Sequence, residues 1–343
     1  PAGPATETAR SEQGKGTPGG PKGSPGVLQK GGRGVKRAIG SVLVGYGLWG
    51  LLPMFWKQFH TLDAVYLLAV RIVMSMVFCL LLVGVTRRFD ALRAVLRDRR
   101  VCLRLAVCGV VITANWWMYI YAVSSNHILD GSLAFYISPL LSILIGRLAF
   151  GERLALEQWA AVGLALLGVL VPVVESGRPP LLGVGIAYLT VRTGRFPILA
   201  LAIAVPFTVY GALKKRVPLT AQTSLFMETL CMTPPALLFV AWMERDGGYL
   251  FSGAVPDGEL ALLLLTGVAT SVPLLFFAAG VHQLPVSLSG MLLYLNPTLQ
   301  LLLGVLVYRE PFTGTDAVMF ALVFAAVALF LLGGRRRGKA LPG

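Results

Sequence analysis

The chain has 343 residues, of which 56% are hydrophobic and only 13% are charged, and its mean hydropathy is +0.74. Soluble globular proteins are roughly 45–50% apolar, so this composition excludes an ordinary soluble domain and indicates a membrane protein. The net charge of +14 comes from basic residues in short runs between long apolar stretches. That pattern is typical of orientation in a membrane and not of a nucleic-acid-binding face.

The chain begins with a polar segment, residues 1–37, which is basic and rich in Gly, Pro and Ser. This composition predicts a disordered tail and lacks the apolar core of a signal peptide. Beyond it, stretches of about 20 mostly apolar residues recur, each long enough to cross the hydrocarbon of a bilayer. They predict ten transmembrane helices, at 38–56, 64–86, 101–123, 128–150, 155–175, 196–213, 220–242, 259–282, 285–308 and 314–334.

The predicted loops differ sharply in charge. If the N-terminus is cytoplasmic, the great majority of Lys and Arg residues fall on the cytoplasmic side, including Lys214, Lys215 and Arg216 in one loop and the basic tail 335–343. Because Lys and Arg concentrate in cytoplasmic loops, the sequence predicts that both termini are cytoplasmic. This orientation requires an even number of helices.

An internal repeat divides the chain. A shift of 158 residues aligns "YISPLLSILIGRLAFGE" (136–152) with "YLNPTLQLLLGVLVYRE" (294–310), and seven of these seventeen positions are identical. The prediction is therefore two repeats, 38–175 and 196–334, joined by a connecting segment at 176–195. Since each repeat holds five helices, an odd number, the second must enter the membrane inverted relative to the first.

The paired prolines of this repeat mark two helices. Pro139 and Pro297 have no N–H, which predicts free carbonyl groups at Phe135 and Leu293. Such groups are best tolerated beside an internal cavity, although the prolines could equally serve only to bend the helices. At the helix ends, Glu152 and its counterpart Glu310 are expected to cap the following helix or to bind a loop cation.

Charged and polar side chains inside the apolar stretches are the candidates for function. Arg71 and Glu228 occupy near-equivalent places in the two repeats, so a structural charge pair between them is predicted, with a substrate or proton site at Glu228 as the alternative. The aromatic and amide residues suit a cavity for an amphipathic solute; interfacial belts and interhelical hydrogen bonds are the alternatives. Neither the histidines nor the four cysteines show metal-ligand spacing, so no metal or cofactor is predicted.

These motifs together resemble a known family. The stretch "SPLLSILIGRLAFGERLALEQWAAVGLALLGV" is similar to the EamA domain of the drug/metabolite transporter superfamily, in which a Pro-containing helix runs into a Gly-Glu step and then a helix rich in small residues. The stretches "GYGLWGLLPMFWK", "NWWMYIYAV", "GSLAFYISPL" and "AQTSLFMETL" are similar to its RarD subgroup. The resemblance covers about residues 38–334. It implies an all-α integral membrane fold of ten helices in two inverted five-helix repeats.

The resemblance also implies a function: a plasma-membrane permease, without enzymatic activity, that moves a small organic solute or drug by alternating access. It implies that helices one, three, four, six, eight and nine surround a central cavity, and that five and ten pack outside it. The substrate-binding residues that it implies, with Glu228 added from the charge pattern, are Trp49, Asn115, Trp116, Tyr119, Tyr136, Pro139, Tyr210, Glu228, Tyr294, Asn296 and Pro297. Proton coupling and a homodimer remain open, and a membrane enzyme or a non-transporting sensor is the alternative function.

Overall fold

A computed structural model of the protein describes residues 32–87, 89–124, 128–175, 198–217, 219–245, 247–250, 252–253, 255–309 and 312–339. Within these ranges the chain is helical. The helices are α1 (Gly32–Trp56), α2 (Ala64–Thr86), α3 (Phe89–Arg97), α4 (Arg99–Ser124), α5 (Ile128–Phe150), α6 (Leu156–Glu175), α7 (Ile198–Lys215), α8 (Ala221–Arg245), α9 (Asp257–Val281), α10 (Val286–Leu292), α11 (Leu295–Leu306) and α12 (Gly314–Lys339). The segments 1–31 and 176–197 and residue Glu310 lie outside the described residues, and with them the predicted connecting segment and one predicted cap.

Seven helical stretches in the described ranges are long and apolar enough to cross a membrane, judged by length and composition alone. They lie in α1, α2, α4, α8, α9, α12 and, as one stretch, α10 with α11. Large apolar side chains such as Leu81, Val85 and Leu148 are well exposed on the surface of the helices. A water-soluble protein would not expose so many large apolar groups, so the helical bundle is that of a membrane protein.

The structure differs from the predictions at the N-terminal tail, at the C-terminal tail and in the loop that follows α2. Helix α1 begins at Gly32, so residues 32–37 are helical and not disordered, because Val35 and Ala38 pack against the core. Helix α12 continues to Lys339, through most of the predicted basic tail. Helix α3 was not predicted. It lies in a basic loop, where Asp90 in its first turn and Arg97 in its last complement the helix dipole.

The two proline-marked helices have different backbones. Helix α5 continues through Pro139, whereas the equivalent helix is divided into α10 and α11 on the N-terminal side of Pro297. The carbonyl of Leu293, which was predicted to be free, accepts a hydrogen bond of 2.9 Å from the N–H of Asn296. A tight turn in place of the α-helical bond thus satisfies this carbonyl, and the prediction of an open one there was wrong.

Helices of the two halves pack against each other throughout. Helix α1 packs on α9 and α11, α4 on α7 and α8, α2 on α8 and α9, α5 on α7 and α10, and α6 on α12. Glycines allow the closest approaches: a Cβ added at Gly109 would meet the backbone of Glu228, and one added at Gly267 would meet the backbone of Met74. Small residues let helix backbones approach closely in membranes. Gly109 and Gly267 are 158 residues apart, which is the spacing of the sequence repeat.

Candidate functional site

An aromatic cluster fills the bundle between α1, α7 and α9. The ring of Phe277 lies 5.6 Å from that of Tyr46, 5.7 Å from that of Trp49 and 6.2 Å from that of Tyr210, between ring centres. Phe207 completes the cluster, 6.1 Å from Trp49. Because Tyr46, Tyr210 and Phe277 are fully buried, these rings close the space between the three helices. We call these five residues the central aromatic cluster; it contains two predicted site residues, Trp49 and Tyr210.

A buried ion pair lies beside this cluster and joins α7 to α8. The Nζ of Lys214 is 2.5 Å from the Oε1 of Glu228, and both side chains are almost completely buried. Two further groups donate hydrogen bonds to the same carboxylate, the hydroxyl of Tyr210 at 3.1 Å and the hydroxyl of Ser224 at 3.0 Å. A buried charge is tolerated only when it is paired and hydrogen-bonded, and Glu228 meets both conditions.

The predicted pair between Arg71 and Glu228 is therefore wrong, and the packing of α2 on α8 gives the reason. These helices run antiparallel, since the hydroxyl of Tyr66 donates to Glu244 and the hydroxyl of Thr229 lies 3.6 Å from the sulfur of Met76. This register sets Arg71 near the level of Ala236, whose neighbours include Ile72. Glu228 precedes Ala236 by eight residues in α8, which separates the two by about 12 Å at 1.5 Å per residue.

Arg71 instead lies between two tryptophans. The centre of its guanidinium group is 4.4 Å from the ring of Trp116 and 5.4 Å from the ring of Trp56. Its Nε atom is buried and has no hydrogen-bond partner. No carboxylate of the described part of the chain forms an ion pair with it. Among the described residues, Arg71 is thus a partly buried cation whose contacts are the two aromatic rings.

Lys214 is a candidate site residue that was not predicted from the sequence. It was placed in a cytoplasmic loop with Lys215 and Arg216, but it belongs to the last turn of α7 and is completely buried. A signal was present, because Phe207, Tyr210 and Lys214 are spaced three and four residues apart and so share one helix face. A lysine on the face that carries the aromatic side chains is a candidate for the bundle interior.

A small cavity, which we call the polar cavity, lies between α2, α4, α8 and α9. Trp116 and Glu228 line it together with several hydroxyl side chains, and it is large enough for about one water molecule. Ser75 and Thr270 are among the lining residues, and their buried hydroxyls have no hydrogen-bond partner in the part of the chain that the structure describes. Helices two and seven of the predicted order, α2 and α8, thus contribute to a cavity from which the resemblance had left them out.

A second cavity of similar size lies between α1, α5, α7, α9 and α10. Its lining includes Tyr46, Phe207 and Phe277 of the central aromatic cluster, with Ser289 and Gly290 of α10. The hydroxyl groups of Tyr46 and Ser289 are 3.3 Å apart across it. Helices α6 and α12 contribute no residue to either cavity among the described residues, as the resemblance implies for the fifth and tenth helices.

Glu152 ties one end of the bundle together. Gly151 takes a left-handed conformation (φ 62°), which ends α5, and the N–H of Glu152 donates to the carbonyl of Gly146, six residues earlier. The carboxylate then accepts hydrogen bonds from the N–H groups of Val286, at 2.6 Å, and Ser287, at 3.0 Å. It therefore caps α10 and not the following helix α6, which corrects the predicted cap.

The same carboxylate has a cation partner. The Nζ of Lys215 lies 3.3 Å from the Oε1 of Glu152, and the ring of His282 lies against the carbonyl of Lys215 at 3.4 Å. Burial lowers the pKa of His282 below its ordinary value. We call the end of the bundle formed by Glu152, Lys215 and His282 the Glu152 end; α5, α7, α9 and α10 are held together there.

The remaining predicted aromatic residues are distributed over separate places. The hydroxyl of Tyr294 donates to the backbone carbonyl of Tyr136 at 3.3 Å, which joins the equivalent tyrosines of the two repeats. Tyr119 packs edge-on against Phe135, with ring centres 5.5 Å apart. Pro139 and Pro297 are both buried. None of these residues lines either cavity of the described structure.

The two predicted amides are bonded within the bundle. Asn115 of α4 donates through its Nδ2 to the carbonyl of Ile203 in α7, at 2.6 Å. Asn296 accepts at its Oδ1 from Gln300, one turn further along α11, at 2.6 Å. Asn115 thus makes an interhelical hydrogen bond, which was the alternative interpretation, whereas the bond of Asn296 lies within α11. Of the predicted set, Trp49, Tyr210, Glu228 and Trp116 lie in or beside the cavities.

Comparisons with known proteins decide the family. The chain matches the EamA-like transporter family over residues 36–174 and again over residues 195–332. The chain belongs to the EamA-like transporter family. Among curated relatives, it is 37% identical to Protein RarD of Streptomyces exfoliatus (83% of this chain, 84% of the relative) and 32% identical to Protein RarD of Escherichia coli strain K12 (84% and 92%). It is also 35% identical to an uncharacterized transporter of Vibrio cholerae (89% and 95%).

The chain is thus a RarD-type membrane transporter of the drug/metabolite transporter superfamily. A solved crystal structure shares the fold, with a TM-score of 0.62 at 21% identity over 89% of this chain and 98% of that one. The first EamA match encloses α1 to α6 except for the first residues of α1 and the last residue of α6, and the second match encloses α7 to α11 and most of α12. The Lys214 and Glu228 pair lies within the second EamA match, whereas the polar cavity takes residues from both.

Proposed function

We propose that this protein carries a small organic solute across the plasma membrane by alternating access, with both termini in the cytoplasm. The observation that carries the proposal is the polar cavity, which lies where the two EamA units meet and is lined by Glu228 and by Ser75 and Thr270, whose buried hydroxyls are unpartnered among the described residues. Secondary transporters bind their substrates at the interface of two repeats. Family membership favours transport over the membrane enzyme and the sensor that the sequence left as alternatives.

The proposal includes ten membrane-spanning helices in two inverted repeats. Helices α5, α6 and α7 would be added to the seven apolar spans to make ten. In this count, α10 and α11 together form the ninth membrane-spanning helix. In the two repeats, α1 is equivalent to α7, α2 to α8 and α4 to α9. The contact of α1 with α9 is therefore equivalent to that of α7 with α4, and the contact of α2 with α9 is equivalent to that of α8 with α4. All of these contacts are present. A two-fold axis in the membrane plane would produce this equivalence.

Alternating access requires that one end of the bundle opens while the other is closed. At the Glu152 end, Glu152 joins α5 to α10 and to Lys215 of α7, while Lys214 joins α7 to Glu228 of α8. We infer that this is the cytoplasmic end and that it is closed in the conformation described. Opening it would separate these ionic contacts and part the rings of the central aromatic cluster.

Proton coupling would use Glu228, the carboxylate that faces the polar cavity. In the conformation described, the carboxylate oxygens accept hydrogen bonds from Lys214, Tyr210 and Ser224, so access to them would require Lys214 to move away. A proton taken up on opening would then neutralise Glu228 while the ion pair is apart. In this scheme, protonation and the opening of the Glu152 end are linked steps.

The test is uptake by the full chain reconstituted into liposomes, over a panel of amino acids, aromatic acids, amides and amphipathic drugs. We expect at least one solute to move, and the Trp49→Ala and Trp116→Ala variants to lower its uptake about tenfold or more, since Trp116 lines the polar cavity and Trp49 packs against Phe277, which lines the second cavity. Trp159→Ala is the matched control, because Trp159 of α6 is 43% exposed on the surface of the helices. If no solute moves in either direction, the transport proposal is wrong.

Proton coupling is tested in the same liposomes with and without a pH gradient. We expect the gradient to change the uptake of the wild type, and the Glu228→Gln variant to lose that response. Glu157→Gln, which changes a carboxylate in the first turn of α6, should keep it. An unchanged gradient response in Glu228→Gln would remove the proton role and leave downhill transport.

A further inference from the structure

Resting on the proposed function, we infer that Arg71, Ser75 and Thr270 form a binding site for an anionic group, and that the transported solute carries a carboxylate. Ser75 and Thr270 line the polar cavity, and Arg71 lies against Trp116, which lines the same cavity. The claim extends the transport proposal, because it names the charge of the solute and the side chains that recognise it.

Arg71 supplies the charge of this site. An arginine inside a membrane helix is costly and is normally paired, yet the described residues provide Arg71 with two tryptophan rings and no carboxylate. Its buried Nε–H is an unused donor. The guanidinium group is always protonated and has no acceptor atom, so only an acceptor, and preferably an anion, can satisfy it.

Ser75 and Thr270 supply two further donors. Ser75 follows Arg71 by four residues on α2, which places both on the same helix face. Ser75 and Thr270 both line the polar cavity, and their buried hydroxyls have no hydrogen-bond partner among the described residues. Trp116 lines the same cavity and stacks against Arg71, so the arginine borders the cavity through this ring. One guanidinium and two hydroxyl groups are a suitable donor set for a carboxylate.

The charge balance of the region also favours an anion. Glu228 is the carboxylate that lines the polar cavity, and Lys214 already neutralises it. The positive charge of Arg71 is therefore uncompensated. A neutral solute would leave this cation unpaired in the bundle, whereas a carboxylate would satisfy both its charge and its free N–H. Since the walls include Trp116 and the central aromatic cluster lies nearby, aromatic acids are suitable probes.

The test measures binding to the full chain in nanodiscs of phosphatidylcholine, with thermal unfolding as the readout. The probes are two matched pairs, phenylacetate with phenylacetamide and indole-3-acetate with indole-3-acetamide. We expect the acids to raise the unfolding temperature and the amides to have little effect. In Arg71→Gln, the acid concentration that gives half of the shift should rise about tenfold to a hundredfold, the range for one charge-assisted hydrogen bond.

Three further variants complete the test. Arg147→Gln should bind the acids like the wild type, because Arg147 also lies over a tryptophan, at 5.6 Å from Trp159, but is exposed and borders neither cavity. If Arg71→Gln does not fold, Ser75→Ala tests the same site and should weaken acid binding several-fold. Arg71→Lys keeps the charge and should retain part of the preference for acids over amides.

Several outcomes would overturn the inference: no shift with either acid, equal shifts with acids and amides, or an acid preference that survives Arg71→Gln. A shift that appears with phosphatidylglycerol in the nanodiscs and not with phenylacetate would identify a lipid phosphate as the anion, which also overturns it. The transport proposal fails separately. A chain that binds acids through Arg71 but moves no solute loses only that proposal, and one that moves neutral solutes without Arg71 dependence loses only this inference.

Discussion

Arg71 and Glu228 occupy the same place in the two halves of the molecule and have opposite surroundings. Each is the eighth residue of its helix, counted from Ala64 in α2 and from Ala221 in α8. Glu228 receives hydrogen bonds from three side chains, one of them a lysine. Arg71 has a buried donor without a partner. One half therefore uses this position for internal bonding, and the other leaves it available to a ligand.

The largest effect is expected from breaking the internal bonding. Lys214→Met should lower the free energy of unfolding by about 3–5 kcal/mol, because it leaves the carboxylate of Glu228 buried without its cation. Unfolding of the full chain in detergent, followed by circular dichroism, measures the change. Lys36→Met is the control, since Lys36 is exposed in α1 and its replacement should cost little.

The double variant Lys214→Met, Glu228→Met tests the cause of this effect. Both charges are then absent, and methionine side chains can fill much of the space, so most of the lost stability should return. If the double variant is as unstable as Lys214→Met alone, packing of the lysine stem and not its charge is what matters. The contrast between the paired charge of Glu228 and the unpaired charge of Arg71 would then not explain the difference in stability.

A smaller effect is expected at the Glu152 end, where the bonding between helices is partly exposed. Glu152→Gln should cost about 1–2 kcal/mol, because the charged cap of α10 and the pair with Lys215 are weakened while an amide oxygen can still accept hydrogen bonds. Hydrogen exchange read by mass spectrometry should show faster exchange at the N–H groups of Val286 and Ser287. Glu157→Gln in α6 should leave those N–H groups unchanged, and equal exchange in both variants would contradict the assigned cap.

The helices were predictable from the sequence because bilayer thickness fixes the length of an apolar span. The predicted bounds 64–86 and 128–150 are those of α2 and α5. The unpredicted break between α10 and α11 depends on a turn at Leu293, for which the sequence gives only the proline. Pro139 in the equivalent place leaves α5 continuous, so proline alone does not specify a break.

Side-chain pairing was less predictable, because it depends on how each helix is rotated and which neighbour it meets. The opposite charges of Arg71 and Glu228 predicted a pair. Because both residues lie near the N-terminal ends of helices that run antiparallel, they are at different levels of the bundle. Lys214 was assigned to a loop because it precedes two other basic residues, and only the packing of α7 turns it inward. Trp49 and Tyr210 lie in the central aromatic cluster, and their role in substrate binding stays a prediction.

The smallest effect on stability is expected at Arg71, and it sharpens the comparison most. Arg71→Met should change the free energy of unfolding by less than about 1 kcal/mol, because the lost cation–π contact with Trp116 is offset by removal of an unpaired cation from the bundle. Methionine keeps the apolar packing of the arginine stem. The unfolding assay used for Lys214→Met measures both variants side by side. A loss at Arg71 as large as that at Lys214 would mean that Arg71 has a strong internal partner, and the two positions would then be alike.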